Sequence, residues 1–126
     1  MQLPRMPSFS LKGRTALVVG ASSGIGTACA VALAEHGAKV TLAARRKDRL
    51  ELIENQMKKR NYQVKIIEMN INDVDETRTI ISKDNPYDIL VNSAGIAKHS
   101  TSKDTLLNDF DKVMNTNLRG AYFLTQ

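Results

Sequence analysis

One turn limits what this chain can fold into: Gly20-Ala21-Ser22-Ser23-Gly24-Ile25-Gly26. The apolar run Thr15 to Val19 precedes it, and an Ala-rich helical stretch, Thr27 to His36, follows it. Strand, glycine-rich turn, helix is the order a dinucleotide-phosphate site needs. The glycines let the backbone turn sharply and let a pyrophosphate come close. The first amides of the helix then offer it unpaired N–H groups. Taken without its neighbours, the same turn is only a tight loop.

Downstream, apolar periodicity switches repeatedly between strand and helix. A first strand is expected near residues 14–20. The first helix is expected over about 24–36, with Ile25, Cys29, Ala32, Leu33 and His36 as its inner stripe and Gly37 as a left-handed cap. Lys39 to Ala44 reads as a second strand, and Arg46 to Lys59 as a charged helix turning Leu50, Ile53 and Met57 inward. Val64 to Met69 is the third strand. Asp73 with Glu76 opens a helix that turns Val74, Thr77, Ile80 and Ile81 inward, and Asn85-Pro86 stops it. Tyr87 to Asn92 is the fourth strand, apolar enough to suggest burial on both faces. After a loop, a last helix runs from near Leu107 to the end, with Phe110, Val113, Met114, Asn117, Leu118 and Ala121 along one side. Strands alternating with helices and right-handed crossovers predict an α/β, Rossmann-type doubly wound parallel sheet. Its expected strand order is 3-2-1-4, an incomplete layout ending in the helix after the fourth strand.

Composition removes several alternatives. At 42% hydrophobic and 25% charged over 126 residues, the chain reads as globular. Residues 1–8 are expected to form a flexible tail and residues 9–126 a dinucleotide-binding domain. No apolar run reaches the roughly 20 residues of a membrane span, and Met1 to Pro7 has no signal-peptide pattern, so a cytoplasmic setting is expected. Cys29, the single cysteine, allows no internal disulfide, and His36 and His99 lack metal-ligand spacing. The net charge of +5 invites a nucleic-acid reading, but the basic clusters at Arg45-Arg46-Lys47 and Lys58-Lys59-Arg60 have no interleaved aromatics. Neither nucleic acid nor membrane is expected as a partner.

The turn's spacing, Gly-x-x-x-Gly-x-Gly, departs from the Gly-x-Gly-x-x-Gly of the usual Rossmann fingerprint. It resembles the short-chain dehydrogenase/reductase family, whose turn reads roughly Thr-Gly-x-x-x-Gly-Ile-Gly, with Val19 here in the Thr position. The resemblance runs from about Phe9 to Gln126. It implies that Gly20, Ser22, Ser23, Gly24, Ile25 and Gly26 hold the cofactor's phosphates and ribose. A second reader belongs at the end of the second strand, where an acid would grip a ribose 2′-hydroxyl. Ala44 stands there and Arg45-Arg46 follow. A guanidinium can grip a phosphate with two parallel hydrogen bonds, so NADP(H) is the expected cofactor and NAD(H) the lesser one. Ser23 departs from the basic residue that NADP-preferring members often carry there. Without a ligand, the two arginines are solvated helix-start charges.

Further along, Asn92-Ser93-Ala94-Gly95 resembles the family's Asn-Asn-Ala-Gly segment, which implies that Asn92, Ala94 and Gly95 line the adenosine side. Asn70 falls where the family has an Asp that accepts from adenine. Its amide oxygen can accept the same bond, and the Ile71 N–H can serve a ring nitrogen. Read from the residues alone, Asn70 and Asn92 are ordinary strand-end polar groups. Val113 to Gly120 resembles the family's Val-x-x-x-Asn-Leu-x-Gly helix segment, which implies that Asn117 interrupts its helix and joins a catalytic proton relay. Otherwise Asn117 is a satisfied core amide and Gly120 a packing gap.

The family's Tyr-x-x-x-Lys pair is absent: Ile66, Val91 and Gln126 stand four residues after Tyr62, Tyr87 and Tyr122. The expectation is the N-terminal part of an NADP(H)-dependent oxidoreductase that moves hydride between the nicotinamide and a ketone or secondary alcohol. The resemblance points to a 3-oxoacyl reductase or a polyol/sugar dehydrogenase, whose full-length form pairs into dimers or tetramers. The 126-residue chain alone is expected to be inactive. The alternative is a non-catalytic nucleotide-binding module.

Overall fold

The computed structural model describes residues Met1–Gln126. Met1 to Ser10 carry neither helix nor strand and lie exposed. Four parallel strands, β1 (Thr15–Val19), β2 (Lys39–Ala44), β3 (Val64–Glu68) and β4 (Ile89–Asn92), form one sheet in the order β3-β2-β1-β4. The register brings Val19 beside both Ala43 and Asn92, so the carboxyl ends of β1, β2 and β4 finish side by side. The order matches the sequence expectation, and the break between β1 and β4 is the switch point where open α/β sheets bind ligands.

Alternation along the strands supplies two cores. Ala16, Val18, Val40 and Leu42 meet helices α1 (Gly24–Glu35) and α2 (Lys47–Lys59) through Ala30, Ala34, Leu50 and Met57. Leu17, Val19 and Ala43 turn to the other face. There they pack with Met69, Ile71 and Leu124, beside Ile80 and Ile81 of helix α3 (Val74–Ser82). Local chemistry explains the helix ends. Gly37 adopts φ +100°, its N–H donates to the Ala34 carbonyl and that of Ala38 to the Leu33 carbonyl, a Schellman closure. Asn61, at φ 61°, ends α2 the same way, with its N–H donating to Lys58 and that of Tyr62 to Met57.

Two expectations are corrected. The residues of α1 buried against the sheet are Gly26, Ala30 and Ala34; of the expected stripe Ile25, Cys29, Ala32, Leu33 and His36, Leu33 packs half-buried on that core, while Ile25 is 75% exposed. This helix is apolar on nearly every side, so periodicity could not choose a face. Small residues win because they let the helix axis approach the strands. Strand β4 is not buried on both faces: it forms the sheet edge, and Leu90 is 39% exposed. The last helix divides into α4 (Leu107–Met114), a π-helical segment (Asn115–Gly120) and α5 (Ala121–Thr125), an interruption around Asn117 of the kind the family resemblance implied. The side turned to the sheet carries Thr116, Gly120 and Leu124, whereas Phe110, Leu118 and Tyr122 are 52%, 57% and 64% exposed.

No helix of the structure is long and apolar enough to cross a membrane.

Candidate functional site

A cleft opens across the carboxyl ends of the strands, between the turn after β1 and the segments after β2, β3 and β4. The turn beneath it is shaped by glycines whose roles differ. Gly20 adopts φ +79°, and a Cβ there would sit 2.6 Å from the Ala94 nitrogen, so both conformation and space demand glycine. A Cβ on Gly26 would overlap the Gly20 carbonyl oxygen, which is how α1 comes down onto its own turn. Gly24, at φ +56°, has open space where a side chain would go, so only its backbone conformation calls for glycine. The turn is then tied in place. The N–H groups of Gly20 and Ala21 donate to the Ala43 carbonyl, and Thr27 Oγ1 donates to the Ala21 carbonyl at 2.8 Å.

The start of α1 keeps its donors free of side-chain caps. Ser23 occupies the N-cap position with extended backbone and makes no capping bond, and the first turn holds no acid. The amides of Gly24, Ile25 and Gly26 thus have no intrahelical carbonyl to serve. Close by, Arg46 Nη2 donates to Ser22 Oγ at 3.1 Å, bringing the start of α2 over the glycine turn. Arg45 and Arg46 both line the cleft, and no carboxylate does. Together with the macrodipole of α1, this gives the β1–β2 end of the cleft a positive field.

The opposite wall is a polar turn after β3. Asn70 Oδ1 accepts from the Asn72 N–H at 3.1 Å, leaving its second lone pair for another donor. Across the cleft, Asn92 Oδ1 accepts from the Ala94 N–H at 3.1 Å, which shapes the segment after β4. The π-helical segment closes the far end. Asn117 pairs with one peptide through both ends of its amide: its Oδ1 accepts from the Ile96 N–H at 2.9 Å, and its Nδ2 donates to the Ile96 carbonyl at 2.8 Å. Gly120 fits tightly as well, since a Cβ there would lie 2.8 Å from the Ile71 carbonyl oxygen.

Of the sequence-predicted residues, Gly20, Ser22, Ser23, Arg45, Arg46, Asn70, Ile71, Ala94 and Gly95 line this cleft together. Gly24, Ile25, Gly26, Asn92 and Asn117 stand outside its lining and act on it through turns and clamps. Sequence reasoning missed Asn72, Ile96 and Thr116, which also line it. Their partners lie far away in sequence, and only the Asx-turn pattern at Asn70 gave a local signal. No tyrosine lines the cleft: Tyr62 hydroxyl donates to Glu35, Tyr87 hydroxyl donates to Asp84 and lies 3.3 Å from Thr41 Oγ1, and Tyr122 lies exposed on α5.

The groups with shifted titration form ties elsewhere. Burial, then the hydrogen bond to Asp84, pushes the Tyr87 hydroxyl up to about 12. Hydrogen bonds from Lys65, at 2.6 Å, and from Tyr87 hold the Asp84 carboxyl below its ordinary range. The Thr15 N–H, with Arg14 nearby, lowers Asp88 where β1 begins.

The matching family model is that of the short chain dehydrogenase, over residues 14–126. The chain belongs to the short-chain dehydrogenase family. It is 36% identical over 118 residues to a 3-oxoacyl-(acyl-carrier-protein) reductase of Rickettsia prowazekii, an alignment covering 94% of this chain and 48% of that protein. A short-chain type dehydrogenase/reductase from Mycobacterium marinum superposes with a TM-score of 0.89 at 32% identity, over 94% of this chain and 49% of that one. A gluconate 5-dehydrogenase from Burkholderia cenocepacia, crystallised with NADP and tartrate, superposes with a TM-score of 0.88 at 27% identity, over 94% and 48%. The chain therefore spans about half the length of these relatives.

Proposed function

We propose that the chain is the cofactor-holding part of an NADP(H)-dependent oxidoreductase that exchanges hydride with a ketone or secondary alcohol. A bound nicotinamide dinucleotide supplies the hydride donor or acceptor. The chain's own residues hold it. The Gly20–Gly26 turn admits the pyrophosphate to the open start of α1. Arg45 and Arg46, with Ser22, grip the 2′-phosphate, and Asn70 and Ile71 read the base. Asn92, Ala94 and Gly95 shape the far wall, and Asn117 fixes the peptide of Ile96 and contributes to a proton relay.

The observation that carries this reading is the pair Arg45–Arg46 in a cleft without a carboxylate. The NADP held by the Burkholderia cenocepacia dehydrogenase supports it. The 3-oxoacyl reductase and gluconate dehydrogenase relatives support a carbonyl or sugar-acid substrate. Because Tyr62, Tyr87 and Tyr122 lie away from the cleft, we expect no turnover from the 126-residue chain alone. The same observation favours a second reading, a nucleotide-binding module without chemistry. Coding sequence beyond Gln126 with a Ser and a Tyr-x-x-x-Lys would decide for the enzyme. The exposed stripe of Phe110, Leu118 and Tyr122 supports pairing between copies, and the single free cysteine fits a reducing cytoplasm.

The test is a binding titration of NADPH against NADH, repeated with Arg45→Ala. Tighter NADPH binding is expected, with the loss of about 1–3 kcal/mol of that advantage in the variant. Equal affinities in the unmodified chain would refute it.

A further inference from the structure

Thr116 is one of three buried polar side chains, 7% exposed, and it lies in the π-helical segment immediately before Asn117. Its hydroxyl reaches out of its own segment. Thr79 and Thr125 turn theirs back to the carbonyls of Asp75 and Ala121 in their own helices, as helical threonines commonly do. Thr116 Oγ1 instead donates to Asn72 Oδ1 at 3.0 Å, on the turn after β3.

That turn is positioned from several sides. Asn72 N–H donates to Asn70 Oδ1, Thr77 Oγ1 donates to the Asn70 carbonyl at 3.2 Å, and Gly120 leaves room for the Ile71 carbonyl. A chain of contacts therefore runs from the Asn70 amide through Asn72 to Thr116. The next residue, Asn117, holds both polar groups of the Ile96 peptide across the cleft. A shift of the π-helical segment must move both ends together, because adjacent residues of one segment hold them.

Resting on the cofactor reading above, we propose that Thr116 is a positioning residue that couples the base end of the cleft to the Asn117–Ile96 clamp. An adenine nucleotide that orders Asn70 and Asn72 thereby steadies the peptide of Ile96 at the other end of the bridge. Coupling of this kind is a free energy shared by two sites, so its loss uncouples them without abolishing either.

The experiment is amide hydrogen exchange at Ile96 in the 126-residue chain, with and without adenosine monophosphate, which carries no nicotinamide. The native chain and Thr116→Ser, which keeps the hydroxyl, are expected to exchange about five-fold more slowly at Ile96 when the nucleotide binds. Thr116→Val keeps the branched shape but cannot donate, and at saturating nucleotide it is expected to lose that response while retaining its circular dichroism spectrum. A purely structural role for Thr116 would raise exchange in both states and leave the nucleotide response intact, overturning the inference. No response at Ile96 in a native chain that binds the nucleotide would overturn it equally. Absence of any nucleotide-dependent change at Gly24 or Gly26 would overturn the cofactor reading and the inference with it.

Discussion

Helices α1 and α3 both begin at the carboxyl edge of the same sheet, yet their first turns are finished in opposite ways. Helix α3 satisfies itself: Asp73 Oδ1 accepts from the Glu76 N–H at 3.0 Å, and Asp75 and Glu76 place negative charge against the dipole. Helix α1 leaves the same work undone, with an uncapped Ser23, no acid in its first turn and two arginines nearby. A helix start that a folded chain has not finished is one that a ligand can finish. The difference separates a start built for stability from one that, on the proposed reading, is built for a pyrophosphate.

Breaking the backbone of the open start has the largest expected effect. Gly20→Ala puts a Cβ against the Ala94 backbone at a positive φ, and should cost about 3 kcal/mol of stability in denaturant unfolding. A wild-type midpoint in that variant would show that the close approach is not needed. Arg46→Ala comes next. It removes the bond to Ser22 and should weaken NADPH by about 2 kcal/mol in calorimetric titration while changing NADH little. A loss shared equally by both cofactors would place Arg46 away from the 2′-phosphate. At the closed start, Asp73→Ala should cost about 1 kcal/mol of stability and leave nucleotide affinity unchanged. A change in affinity there would erase the contrast between the two starts.

The smallest effect lies at the opposite edge of the sheet. Asp84 titrates below its ordinary 3.8 because Lys65 and then Tyr87 hydrogen-bond its carboxylate. The folded chain therefore takes up this proton less readily than the unfolded one. The contribution is full above 3.8 and is lost as pH falls through the lowered value. The stability gap between the native chain and Asp84→Asn should narrow in acid, and a gap independent of pH would contradict that tie.

Much of this layout was legible in the residues because local rules agreed with the global fold. The glycine spacing, the two arginines after Ala44 and the Asp73 cap each act over a few residues, and each stands where it was expected. What stayed hidden needed partners or neighbours. The buried face of α1 could not be read because alanines and glycines carry almost no amphipathic signal, so the choice fell to helix–sheet distance. The exposure of Leu90 follows from β4 lying at the sheet edge, which its apolar run does not reveal. The bridge from Thr116 to Asn72 joins residues 44 positions apart. The clamp of Asn117 on Ile96 was likewise visible only as a resemblance, without its partner.

The contrast between the two helix starts can be measured directly by titrating adenosine diphosphate into isotope-labelled chain and following the backbone amide resonances. Large, saturable shifts are expected at Gly24, Ile25 and Gly26, with Asp75 and Glu76 unmoved. Equal shifts at both starts, or none at the glycine turn, would contradict it.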